Sequence, residues 1–136
     1  MSARAGGVGD IAGLHYAHIN LIAHAAATAT EKVGIWIAPA AVNVVGIKIC
    51  PALAATGDNT NRTNYNFIDM ATGAGTTEVA NHDYATGTDA VAGTSVSLTV
   101  TTFAMAAGDA LGVEAEKVAS GLALGPTAVE ISFRYA

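Results

Sequence analysis

Apolar and polar residues alternate along most of this chain, and a period of two predicts β-strands rather than helices. The alternation is clearest in the range 33–49, which we interpret as two strands joined by a bend. Pro39 ends the first strand, because proline has no amide hydrogen to donate to a neighbouring strand. We expect these two strands to organise the domain, with Trp36, the single tryptophan, and Ile47 in its core.

Strict alternation assigns a face to each residue of these two strands. In the first strand, one face holds Val33, Ile35 and Ile37, opposite Gly34 and Trp36. In the second strand, one face is predicted to hold Asn43, Val45, Ile47 and Ile49. The opposite face of that strand would then hold Val44, Gly46, Lys48 and Cys50.

Further alternating runs predict strands at 15–25, 65–70, 94–103, 111–118 and 127–135. The run 15–25 is also compatible with a helix, because it continues into three alanines, but its alternation favours a strand. The inward positions of the last three runs are Val96, Leu98, Val100, Leu111, Val113, Ala115, Val129, Ile131, Phe133 and Tyr135. The ranges 54–64 and 71–93 are rich in turn-forming residues and predict loops, the second with a short strand near 78–80. Together these runs predict an all-β sandwich or barrel of about eight antiparallel strands.

The first fourteen residues differ from the rest in their density of glycine and alanine. Glycine loses much conformational entropy on ordering, so we divide the chain into a flexible N-terminal arm, 1–14, and a β-sandwich domain, 15–136. The arm is either a disordered tail or a tether that orders against a neighbour. Arg4, Val8 and Ile11 are its candidate tethering residues.

Composition excludes several classes of protein. The net charge is −5 and the few lysines and arginines are scattered, which argues against binding to nucleic acid. No apolar run is long enough to cross a membrane, and the N-terminus lacks the layout of a secretory signal. Cys50 is the single cysteine, so an internal disulfide is impossible. A surface with few charges and many small residues suits a chain that lies against copies of itself or a large scaffold.

Three histidines near the start of the domain are the first candidates for a metal site. On a strand, His18 and His24 would share a face but lie about 20 Å apart, and His15 would point the other way. A single metal ion would therefore not join them. We interpret them as ordinary polar histidines on the outer face or at an interface.

Two acidic groups are the remaining candidates for chemistry. Glu114 and Glu116 lie two apart on one strand, a separation compatible with glycosidase chemistry, although a solvated polar face explains the pair equally well. The range 58–61 weakly resembles a calcium loop but lacks the glycine and the distal glutamate that such a loop needs. We therefore predict no catalytic residues, no metal and no cofactor, and expect that the protein is not an enzyme.

Two stretches carry a resemblance to a known class. One is Ile35–Pro39 followed by 42–47, and the other is Ala106–Glu114 with the turn 121–126 and the strand after it. They resemble the capsid decoration, or cement, proteins of tailed bacteriophages, in which a Trp-x-x-Pro strand end precedes an apolar strand and an Ala-Gly-Asp-x-Leu turn begins the penultimate strand. The resemblance covers 32–136.

The resemblance implies a jelly-roll fold and a structural role in the virion. It implies a homotrimer that binds the major capsid protein on the outer surface of the phage head and stabilises the shell, with no role for nucleic acid or membrane. The alternative is a tail-fibre or baseplate module that binds a receptor or carbohydrate. That alternative predicts exposed aromatic side chains on loops, for which Tyr84 and Tyr65 are the candidates.

Overall fold

The computed structural model describes residues 13–136, in which the regular secondary structure consists of β-strands. The nine strands are β1 His15–Leu21, β2 Glu31–Ile37, β3 Val42–Pro51, β4 Arg62–Asp69, β5 Thr77–Asp83, β6 Val96–Ser97, β7 Phe103–Met105, β8 Ala110–Val118 and β9 Thr127–Tyr135. The predicted all-β class is confirmed. Of the predicted arm, residues 1–12 lie outside the described range.

The strands form two antiparallel sheets that enclose one core. The first sheet has the order β1-β9-β3-β6, and β7 pairs with β3 on the side that β6 also occupies. The second sheet has the order β2-β8-β4-β5. Most connections pass from one sheet to the other, so that strands adjacent in sequence face each other across the core. The fold is therefore a β-sandwich.

A β-bulge in β3 corrects the predicted faces of that strand. Its pairing with β9 shifts register between Val44 and Gly46, so one extra residue is accommodated there. Val42 and Val44 face the core before the bulge, and Ile47 and Ile49 face it afterwards, all four being almost fully buried. Strict alternation had wrongly placed Val44 on the face of Lys48. The bulge allows a single strand to present apolar residues to the core at both ends.

The prediction that two central strands lie in the range 33–49 is correct for β3 alone. β3 lies between β9 and the pair β6 and β7, whereas β2 is the edge strand of the second sheet. Val33 and Ile37 are accordingly 49% and 65% exposed. The pairing of β2 with β8 also shifts register, between Gly34 and Trp36, so β2 contains a second irregularity.

Several predicted boundaries also change. β1 ends at Leu21 rather than at 25, because the chain turns and His24 forms an isolated bridge with Leu124. The predicted loop 71–93 contains a full strand, β5. The predicted strand 94–103 is instead two short strands, β6 and β7, although Val96, Leu98 and Val100 do pack against the core.

The core is filled by large side chains from both sheets. Tyr65, Phe67 and Tyr84 are among the largest fully buried side chains; the first two belong to β4, and Tyr84 directly follows β5. Burying each such side chain contributes roughly 1.5–3 kcal/mol. Of the predicted core residues, Ile47 and Phe133 are 2% and 6% exposed, and Trp36 is half-buried with its ring against Phe133.

Candidate interaction surfaces

The sandwich is open along the edge where its two sheets end in β1 and β2. A cavity of about 530 Å³ lies between these strands and is referred to below as the edge cleft. Its apolar walls come from both sheets and include Ile19, Leu21, Ile22, Val33, Ile35 and Val113. A volume of this size is within the range of pockets that hold ligands.

Two buried polar groups lie among the apolar walls of the edge cleft. His24 is 8% exposed and Tyr65 is 2% exposed, and neither the Nε2 atom of His24 nor the hydroxyl of Tyr65 has a hydrogen-bond partner among the described residues. Burial raises the pKa of the Tyr65 hydroxyl. The side chain of Thr127 opposes part of this shift. Buried polar groups without partners are unusual in a protein interior.

The outer face of the second sheet carries an amide–carboxylate cluster made of Asn64, Asn66, Glu114 and Glu116. The Nδ2 atom of Asn66 donates to Glu114 Oε1 at 3.2 Å and to Glu116 Oε1 at 3.0 Å. Asn64 donates to Glu116 Oε2 at 3.4 Å. Both asparagines are almost buried, at 5% and 6% exposed, because β5 and β8 flank β4 on either side.

Glu114 and Glu116, which the sequence suggested as a possible catalytic pair, are both part of this cluster. Glu114 and Glu116 do share one face of β8, as alternation predicts, and a single amide holds both carboxylates. The arrangement is a hydrogen-bonded link between β4 and β8. The sequence does not indicate the two asparagines, because only the pairing of Asn66 with Glu114 and of Asn64 with Glu116 brings them to the glutamates.

The loop that weakly resembles a calcium site is a hydrogen-bonded turn. Asp58 Oδ1 accepts hydrogen bonds from the amides of Thr60 at 2.7 Å and Asn61 at 3.1 Å. These two bonds, that from Asn61 first, lower the pKa of Asp58. In residues 13–136 no group of three His, Cys, Asp or Glu side chains is arranged to hold a metal ion.

The three N-terminal histidines occupy three different environments. His15 lies 5.7 Å from Phe133 and 4.9 Å from Tyr135, measured between ring centroids. His18 is on the outer face of the first sheet, where its Nε2 lies 3.0 Å from Glu130 Oε2. His24 lines the edge cleft. We interpreted the three as polar histidines on the outer face or at an interface; His24 is not on the outer face, because β1 ends before it and the alternation does not continue.

Of the other residues that the sequence singled out, some are described by the structure and some are not. Cys50 is half-buried on β3 and forms no disulfide. Arg4, Val8 and Ile11 lie outside the described residues. Within the described range, no helix is long and apolar enough to cross a membrane.

Comparisons with known proteins yield a likeness in fold. No protein-family model matches the chain, and no curated protein matches it in sequence. Among solved structures, the chain is similar to one in the structure entitled "Cyanophage Pam1 capsid asymmetric unit". The two are 15% identical, with a TM-score of 0.62, and the match covers 100% of this chain and 94% of the other. At this identity the likeness shows the β-sandwich fold, over two chains of nearly equal length.

Proposed function

We propose that this protein is a structural component of a bacteriophage virion, and specifically a decoration protein that binds the outer surface of the head and stabilises the shell. The observation that carries the proposal is the whole-chain likeness to a chain in a phage capsid asymmetric unit. It agrees with the independent resemblance of two stretches, Ile35–Pro39 and Ala106–Glu114, to capsid decoration proteins.

The strand order supports a jelly-roll assignment within this proposal. β6 and β7 pair with the two ends of β3 on the same side, at Lys48–Ile49 and at Val42–Val44. Counted as one interrupted strand, they leave eight strands in two sheets of four. A double-sheet fold of eight antiparallel strands is the architecture of jelly rolls in viral capsid domains.

We propose a homotrimer that contacts the major capsid protein, without nucleic acid or membrane as partners. Weak contacts repeated over a symmetric lattice give high avidity, so each contact surface can be small. The chain's low content of charged residues, 12%, suits such a surface, and its net charge of −5 does not suit nucleic acid.

We further propose that the protein is not an enzyme. Glu114 and Glu116, the best catalytic candidates in the sequence, accept hydrogen bonds from one amide and link two strands. The alternative of a receptor-binding module predicts aromatic residues on exposed loops, for which Tyr84 and Tyr65 were the candidates. Tyr65 and Tyr84 are 2% and 1% exposed, so neither is available to stack on a sugar.

The first test is the copy number of this chain in purified particles, measured by quantitative mass spectrometry against the major shell protein. A decoration protein is expected in a near-integer ratio to the shell subunit, whereas a few copies per particle would assign the chain to the tail. The second test adds purified protein to shells that lack it and follows their thermal disruption. An unchanged disruption temperature at saturating protein would contradict a stabilising role.

A further inference from the structure

The edge cleft is a cavity whose apolar lining runs from exposed to buried side chains. β1 ends the first sheet, β2 ends the second, and the cleft of about 530 Å³ lies between them. Among the lining residues, Ile22 is 86% exposed and Val33 is 49% exposed, whereas Leu21 and Val113 are buried. Exposed apolar side chains beside a cavity of this size are typical of a binding site for an apolar molecule.

Two polar groups in this lining lack the hydrogen bond that burial requires. The Nε2 atom of His24 and the hydroxyl of Tyr65 are buried, and neither has a hydrogen-bond partner among the described residues. The backbone of His24 is fixed, because its N–H and its carbonyl both bond to Leu124 at 2.8 Å. An unpaired buried polar atom is costly, and a ligand that pairs with it removes that cost.

The two polar groups and one carboxylate define the chemistry of the ligand. The Tyr65 hydroxyl is able to donate a hydrogen bond, and His24 Nε2 donates or accepts one according to its tautomer. A ligand hydroxyl both donates and accepts, so it suits either tautomer. A ligand carboxylate only accepts, and Glu31, the one Asp or Glu among the described residues that line the cleft, would repel it. An ammonium group only donates and would lose its hydration between apolar walls.

We propose that the edge cleft binds an uncharged amphiphile that carries a hydroxyl group. Its hydrocarbon body lies between the two sheets, against Ile19, Val33 and Ile35, and its hydroxyl pairs with Tyr65 and His24. This binding function is additional to the proposed structural role and does not depend on it.

The test is isothermal titration calorimetry of the full chain with three probes of nearly equal size: 1-octanol, 1-methoxyheptane and octanoate. The ether has the same atoms as 1-octanol, but its oxygen only accepts hydrogen bonds. We expect 1-octanol to bind best and the ether to bind about five to ten times more weakly, because it makes no donated hydrogen bond. Octanoate should bind at least about ten times more weakly than 1-octanol, and Glu31→Gln should narrow that difference.

Variants of the lining locate the binding to the cleft. Val33→Trp fills the cleft with an indole ring and should abolish binding of 1-octanol. Ile37→Trp is the matched control, because Ile37 is also an exposed apolar residue of β2, at 65%, but does not line the cleft. Tyr65→Phe keeps the ring, removes the unpaired hydroxyl and should lower the affinity for 1-octanol about tenfold without lowering stability.

Four results would overturn the proposal. The first is that 1-octanol does not bind up to its solubility limit. The second is that 1-octanol and the ether bind the wild type equally, which would show that no hydroxyl is recognised. The third is that Val33→Trp and Ile37→Trp bind 1-octanol equally. The fourth is a wild type that self-associates until 1-octanol separates the copies, which would assign the cleft to a second copy. The isolated protein is used, so the outcome is separate from that of the shell-binding tests.

Discussion

The ring of Trp36 lies 5.0 Å from the ring of Phe133, measured between centroids, with an angle of 42° between their planes. The pair joins β2, the edge strand of the second sheet, to β9, which is central in the first sheet. It is therefore a direct aromatic contact between the two sheets near the open edge of the sandwich.

Replacing Phe133 with leucine should loosen this contact and destabilise the protein by about 1–2 kcal/mol, through lost packing and a lost aromatic pair. Trp36 is the only tryptophan, so its fluorescence reports the change directly. We expect its emission to shift to longer wavelength as water reaches the ring. Phe103→Leu in β7 is the control, because Phe103 is not a ring partner of Trp36; an equal emission shift in that variant would refute the assignment.

Gly57 is a position where a side chain has no space. A Cβ atom at this residue would overlap the carbonyl oxygen of Ala85, and it would lie 2.6 Å from the carbonyl oxygen of Thr88. Since both obstacles are backbone atoms, Gly57→Ala should lower the free energy of unfolding by about 2–4 kcal/mol, measured by chemical denaturation. Gly34→Ala is the comparison, because a Cβ there meets only Met70 Sδ at an ordinary 3.7 Å. Equal losses in the two variants would show that the steric argument is wrong.

Asn66 should be more important for stability than its polar, surface-facing character suggests. Asn66→Ala removes the amide that bonds to both Glu114 and Glu116, and should cost about 1–3 kcal/mol in the free energy of unfolding. Asn81→Ala removes one exposed hydrogen bond to Glu78 and should cost less than about 0.5 kcal/mol. A denaturation experiment in which the two variants are equally stable would contradict a structural role for the cluster.

His82 should make the protein sensitive to acid. Burial lowers the pKa of His82 from its ordinary value of 6.5, its Nε2 has no hydrogen-bond partner among the described residues, and its ring lies 4.6 Å from that of Tyr84. Asp83 opposes the shift, but the net direction is downward. The unfolded chain therefore binds a proton at higher pH than the folded chain does. Stability should be unaffected by this group above pH 6.5 and should fall as the pH decreases from 6.5 toward the lower pKa of the folded state.

The measurement is the free energy of unfolding as a function of pH, in the wild type and in His82→Phe, which keeps a ring against Tyr84 without a titrating group. The variant should lose part of the decline seen below pH 6.5. An identical pH profile in both proteins would assign the decline to other groups.

The sequence alone determined the fold class and most of the strands, because a period of two in apolar residues requires a two-sided sheet. It identified β8 and β9 almost to their ends, the turn after Ala106, and the shared face of Glu114 and Glu116. Each of these features depends only on residues that lie close together in the sequence.

Tertiary structure alone decided which strands lie at an edge and where the alternation is interrupted. The bulge after Val44 exists because β3 must match β9 while burying apolar residues at both of its ends. The cluster at Asn66 requires the register between β4 and β8, and the edge cleft requires β1 and β2 to end their sheets on the same side. Each of these depends on the pairing of distant segments, which no pattern within a single segment encodes.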